Sequence, residues 1–155
     1  MKILSKKEVG EISKIISENY GAEEILKNYI VIVSGKKNKI WITNRTAAEI
    51  ELKNVKVNSI GLYFGRIDKG KLRLSIEGAQ MVAKSAKKNI AEIQKDAVWD
   101  FIRGFDVETE TENLENTYVI VKCGEDILGI AKHENGKLFN VLPKARKLIS
   151  LTKPM

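Results

Sequence analysis

One cysteine, one histidine and two prolines are all that this chain of 155 residues contains of those types, and each scarcity excludes some chemistry. A lone Cys123 closes no intrachain disulfide and builds no cysteine zinc site, which fits a reducing cytosol. At a strand end between Lys122 and Gly124, a half-buried small hydrophobe is expected there rather than a nucleophile. His133 beside Glu134 reads as a solvent-facing turn residue, since a general base needs a positioned partner. The acidic residues lack the spacing of a calcium loop, and Asp68-Lys69-Gly70 carries no glycine-rich phosphate cradle. No catalytic residue, metal or cofactor is therefore expected. Long apolar runs are missing too: residues 28–33 are among the longest, far short of the about 20 that span a membrane. Residues 1–7 lack the apolar stretch of a secretory signal, so a cytoplasmic protein is the expectation.

What the chain has in excess is base. A net charge of +7 and a pI near 9.4 accompany 30% charged and 43% hydrophobic residues, the balance of a folded, soluble protein rather than a disordered basic tail. At 17.4 kDa it makes one or two compact units. The charge suits a polyphosphate, and where the cations fall must decide the partner.

Ser5-Lys-Lys-Glu8 is a capping box, and the helix it starts puts Val9, Ile12, Ile15, Ile16 and Tyr20 on one stripe before ending at Gly21. Two β-rich runs follow at 29–33 and 39–43, then Asn44 as the cap of a short helix bearing Ala47, Ala48 and Ile50. Residues 1–56 thus read as a small α/β unit with a soft boundary at 53–58. Beyond it come two strands about an Asp-Lys-Gly turn, with Gly61 and Gly65 signalling a bulge or a close backbone approach. Ser75 caps a helix whose Ile76, Ala79, Val82, Ala83 and Ala86 face inward, and Asp96 caps a short one that Gly104 ends. Residues 105–116, with Asp106, Glu108, Glu110, Glu112 and Glu115, form an acidic loop or edge; the functional reading of this run is a tether that folds onto basic residues when ligand is absent. Strands at 117–122 and 127–133 then make residues 57–155 a mixed β-barrel with short helices, and the whole chain α+β.

The densest cations close the chain. Asn135-Gly136 is a hairpin turn, because both residues tolerate the positive φ of a type I′ turn, and the next strand begins at Lys137. Lys132, Lys137, Lys144, Arg146 and Lys147 arrive on this ribbon, anchored by Leu138, Phe139, Val141 and Leu142. Lysine and arginine neutralise phosphates without reading sequence. The Asn140 amide either reads a base edge or ribose hydroxyl, or caps a turn. Lys84, Lys87 and Lys88 are expected to extend the same surface from a helix, with Arg103 at its edge. Trp41, Tyr63 and Trp99 have apolar neighbours and are expected in the core rather than stacked on bases.

Four blocks then fall in a recognisable order: Gly61-Leu-Tyr-Phe-Gly-Arg-Ile with Lys69-Gly-Lys71; the small-residue helix from Ser75 to Ala86; Ile102-Arg103-Gly104; and Gly129-Ile-Ala-Lys132 with Gly136-Lys137, Asn140 and Pro143-Lys144. Together they resemble the PUA-like RNA-binding domain at the C-terminus of RsmF-type (NOL/Nop/Sun) RNA cytosine-5 methyltransferases. The resemblance implies a PUA-like barrel behind a small pre-PUA-like unit, here as a stand-alone protein. Neither the family's glycine-rich S-adenosylmethionine loop nor its proline-cysteine nucleophile is visible. It therefore implies non-catalytic binding of structured rRNA or tRNA, in RNA modification beside a separate methyltransferase or in ribosome assembly. Ile130 stands where the family has an aromatic, and Val141-Leu142 where aromatics or histidine are frequent, which argues against base stacking on the ribbon. The alternative is a protein-interaction module whose basic face docks on an acidic partner.

Overall fold

The computed structural model describes residues 2–36, 38–44 and 61–143. Its first helix, α1 (Lys6–Tyr20), begins as the sequence dictates: the Ser5 hydroxyl accepts from the Glu8 amide at 3.2 Å, and the Ser5 amide donates to Glu8 Oε1 at 3.1 Å. Lys2 reaches the same carboxylate at 2.7 Å, and these hydrogen bonds hold the Glu8 carboxyl down at about 2. Gly21 (φ 67°) closes the helix by returning its N–H to the Ser17 carbonyl. Ile12, Ile16 and Tyr20 form the buried stripe.

That stripe packs on a five-stranded antiparallel sheet of β1 (Lys2–Ile3), β2 (Tyr29–Ser34), β3 (Lys39–Asn44), β4 (Leu62–Asp68) and β5 (Lys71–Leu74), in that spatial order. Alternation sends Ile40 and Ile42 into the core and Lys39 and Trp41 to the other face. A bulge follows at once: Ile40 pairs with Gly65 but Trp41 with Tyr63, so the extra residue Phe64 turns inward, fully buried. A Cβ on Gly65 would stand 2.6 Å from the Arg73 carbonyl oxygen, which is why this strand position is glycine.

Ser75 caps α2 (Ile76–Ala83), accepting from the Gly78 amide at 2.9 Å. Over α2 lies the second sheet, ordered β6 (Ile90–Glu92), β8 (Tyr118–Cys123), β9 (Asp126–Glu134), β10 (Lys137–Asn140) and β7 (Val107–Glu108), in which only the β6–β8 pair is parallel. Both faces of β8 are apolar. Tyr118 and Ile120, with Ile130, complete the core shared with α1 and the first sheet. Val119 and Val121, with Ala131 and Leu138, pack against Phe101 of α3 (Val98–Ile102) in a second core. The result is an α+β fold of two curled sheets with short helices. No described helix is long and apolar enough to cross a membrane.

Two expectations change here, and two lie outside the described residues. The division at 56/57 falls outside the described residues; β4 and β5, beyond it, hydrogen-bond into the first sheet. Asp96 does not cap α3; it sits inside a 3-10 turn (Lys95–Ala97) that leads into the helix. The helix expected after Asn44 lies outside the described residues. His133 is buried at 5% exposure, not solvent-facing: its Nδ1 lies 2.8 Å from the Glu115 carbonyl and its Nε2 accepts from the Gly136 amide at 2.9 Å. The imidazole therefore pins the Asn135-Gly136 turn, both of whose residues have positive φ (48° and 88°).

Candidate nucleic-acid interface

Register in the first sheet aligns three cations. Lys39 pairs with Arg66, and Arg66 with Arg73, so one row crosses β3, β4 and β5. Neighbouring strands lie about 4.8 Å apart, which puts the three side-chain roots within about 10 Å. Like charges directly opposed weaken a sheet, and none of the three forms an ion pair among the described residues. Arg73 instead donates through Nη2 to the Val141 carbonyl at 2.5 Å, which fastens the row to the chain leaving β10.

Aromatic rings flank the row. Trp41 and Tyr63 meet with centroids 5.2 Å apart at 48°, and the indole N–H donates to the Ser34 hydroxyl at 3.0 Å. Both were expected in the core; the bulge instead turns Tyr63 to the face of Trp41, and each is half-buried. A cavity of about 330 Å³ opens here, with Lys39, Tyr63, Arg66 and Arg73 on one wall, Ile130 and Val141 on the other, and the start of α2 at its base. Burial pushes the Tyr63 phenol up, with Arg66 and Arg73 pulling partly back, so it stays a neutral hydrogen-bonding ring at physiological pH. The groove thus joins three cations and the Glu77 carboxylate at the start of α2 with one aromatic face and an apolar wall.

Two of the sequence-predicted cations stand on the sheet face that Ile130 presents to it. Lys132 stands across from Phe139 in the β9–β10 register and shares the face of Ile130, two residues away. The Lys137 ammonium sits 5.1 Å above the Phe139 ring. The others are placed elsewhere. Lys84 follows α2 at the far end, in a separate cleft with Lys122, Glu125 and Asp126 beside the β8–β9 turn; the eight residues of α2 set it about 12 Å from the groove end of the helix. Lys87 donates its amide to the Tyr20 carbonyl at 2.7 Å. Lys88 pairs with Glu115 at 3.3 Å, whose carboxyl is held low by hydrogen bonds from Asn89 and Lys88. Arg103 lies over the Phe105 ring at 5.2 Å, behind the second sheet. Lys144, Arg146 and Lys147 fall outside the described residues.

Asn140 turns to that rear face as well. Its Nδ2 donates to the Phe101 carbonyl at 2.7 Å and the Phe105 carbonyl at 3.0 Å, and its Oδ1 accepts from the Leu142 amide at 3.0 Å. Both amide hydrogens are engaged, so the side chain works as a brace between α3 and β10. The acidic run lies along the same edge: Asp106 accepts from the Asn140 amide at 2.8 Å, and Glu108 faces Lys137 in register.

The helix and the ribbon thus do not form one cationic surface through Lys84; the ribbon's Lys132 and Lys137 share the sheet face of Ile130, with Lys137 flanked in register by Glu134 and Glu108. Lys39, Arg66 and Arg73 were missed as site residues although a signal existed. A two-residue turn at Lys69-Gly70 sets Asp68 against Lys71 and hence Arg66 against Arg73.

Comparison with known proteins places this geometry. No curated protein matches the chain. Among solved structures, a conserved PUA domain protein from Thermoplasma acidophilum shares the fold with a TM-score of 0.57 at 16% identity, over 85% of this chain and 78% of that one. The family model of the methyltransferase RsmF PUA domain matches residues 88–148, from just before β6 to beyond β10, a shorter span than the resemblance read from residue 59. Residues 88–148 are thus similar to the PUA domain of the methyltransferase RsmF, and the chain shares the fold of a PUA domain protein.

Proposed function

We propose that this protein binds structured RNA without catalysing a reaction, and that the groove beside the Lys39–Arg66–Arg73 row is where an RNA strand enters. The observation that carries this reading is the row itself: three opposed cations that form no ion pair among the described residues, with Glu77 the one acid among the described residues lining their cavity, a repulsion that an anion relieves. Tyr63 and the apolar wall of Ile130 and Val141 suit an unpaired nucleotide, whose base needs a ring or an apolar surface to replace its stacking neighbour. An acidic protein would be drawn by the same charge but makes no use of the ring. Ribosomal or transfer RNA is the proposed target class, in the cytoplasm, either in ribosome assembly or as the RNA grip of a separate cytosine-5 methyltransferase. Titration of labelled tRNA and rRNA fragments by fluorescence anisotropy tests it. Binding should weaken steeply with salt, and Arg66→Glu should weaken it by about tenfold or more. Equal affinity for heparin and for structured RNA, or indifference to Arg66→Glu, removes the reading.

A further inference from the structure

We infer that the tips of the two hairpins in the first sheet form a second phosphate-binding site, which holds the backbone of a double-stranded RNA segment continuing out of the groove; this rests on the groove's being an RNA site. The β2–β3 and β4–β5 turns leave the sheet at the same end, because Lys39 at the start of β3 pairs with Arg66 near the end of β4, and the Ile67 amide reaches the Asn38 carbonyl at 3.4 Å. Lys36, Lys69 and Lys71 are exposed on these tips and continue the row of Lys39, Arg66 and Arg73. Asp68 lies among them with its Oδ2 already engaged by the Tyr118 hydroxyl at 2.9 Å, and the Glu115 carboxylate, paired with Lys88, lies close enough to Lys71 to feel its charge. A cleft of about 430 Å³ separates the tips, lined by Lys36, Asn38, Arg66, Ile67 and Asp68.

The backbone at the tip is arranged at some expense. Lys69 has φ 52° and Gly70 φ 77°, the mark of a two-residue type I′ turn, where asparagine or glycine strains least at the first position. A lysine there trades conformational ease for a cation at the outermost point. The chemistry differs from that of the groove, because no aromatic side chain is among the described residues that line the cleft. Charges without rings grip phosphates and leave bases paired, which is how duplex RNA is recognised by its backbone and shape. Lys71 also donates to the Asn116 carbonyl at 3.4 Å, and Asn116 Oδ1 accepts from the Asn135 amide at 3.2 Å. The tip of the β9–β10 ribbon therefore borders the same end, with Lys132 and Lys137 behind it.

The test compares two RNAs on the full chain: a single strand of about eight nucleotides, and the same sequence at the end of a stem of about 12 base pairs. The triple variant Lys36→Gln, Lys69→Asn, Lys71→Gln keeps the turn, since asparagine accepts a positive φ. Its single-strand affinity should stay within about twofold of wild type. For the stemmed RNA the slope of log K against log salt should fall by about two to three, the release of roughly three counterions. Wild-type slopes on the stemmed RNA that the triple variant reproduces overturn the tip site; if Arg66→Glu still abolishes binding of both RNAs, the groove stands without it. Equal wild-type affinity for the two RNAs also overturns it, and binding of neither removes the groove along with the tips.

Discussion

Asn140→Ala separates a brace from a base reader. The wild-type amide makes two partly buried bonds, to the Phe101 carbonyl at 2.7 Å and from the Leu142 amide at 3.0 Å, and one exposed bond to the Phe105 carbonyl at 3.0 Å. Alanine leaves the two partly buried groups unpaired at about 1 kcal/mol each or slightly more, while water replaces the third bond for about 0.5 kcal/mol or less. The sum is a loss of about 2–3 kcal/mol, or about 4–12 °C in Tm for a chain of this size. The backbone bond from the Asn140 amide to Asp106 survives the change, so β10 should loosen rather than detach. Urea and thermal melts followed by circular dichroism give the stability, and anisotropy at 20 °C, well below the midpoint, gives RNA affinity. Affinity should stay within about twofold of wild type, because the amide faces away from the groove. Asn140→Asp is the sharper control: it keeps the acceptor for Leu142 but sets a carboxylate oxygen against two carbonyls, so it should be at least as destabilising near neutral pH and recover in part on acidification. A stability change below about 0.5 kcal/mol together with a tenfold loss of RNA affinity refutes the brace and returns Asn140 to base reading.

Three further outcomes follow from the same geometry. Arg66→Gln relieves two opposed like-charge pairs, each worth about 0.2–1 kcal/mol, so it should raise Tm at low ionic strength, lose the gain as salt screens the pairs, and weaken RNA binding under both conditions. His133→Leu orphans the Glu115 carbonyl and the Gly136 amide and should cost about 2–3 kcal/mol; because Nε2 accepts from Gly136, nitrogen NMR of the wild type should find the proton on Nδ1. The Glu8 carboxyl, held at about 2 against an ordinary 4.5, contributes stability that is fully present above its unfolded pKa and lost as the pH falls through its folded value. Urea midpoints of wild type and Glu8→Gln should therefore converge between about pH 5 and about pH 2.

Local signals in the sequence proved readable wherever their physics was local. The Ser5–Glu8 capping box, the Gly21 stop, the Ser75 cap and the Asn135-Gly136 turn each involve residues a few positions apart, and each appears where the residue types demand. What could not be read depends on partners far along the chain. The two-residue β1 and the three-residue β6 are too short for any periodicity to reveal; they exist because β2 and β8 offer open edges. The extension of the first sheet across the expected boundary depends on β4 choosing β3. His133 looked like a surface residue because its neighbours Lys132 and Glu134 are charged, yet strand alternation sends it inward, where the Glu115 carbonyl and the Gly136 amide are waiting.

The site shows the same division between composition and register. Counting lysines drew attention to Lys84, Lys87 and Lys88, but a cation matters for an anionic ligand only if the fold leaves its charge unanswered. Lys88 is answered by Glu115 at 3.3 Å, and Lys84 and Lys122 share their cleft with two acids, Glu125 and Asp126, where among the described residues the three cations of the row share theirs with Glu77. Lys39, Arg66 and Arg73 looked unremarkable in the sequence, one per strand and each beside apolar neighbours. Pairing converts them into a row in which every neighbour across the strands repeats the same sign. A sheet that needed only to be stable would place a carboxylate or a threonine at Arg66, between the other two, and would gain from each pair. On the proposed reading, arginine there trades sheet stability for a ligand, as sites that must receive one commonly do, and a bound phosphate is the group that would turn the repulsion into attraction.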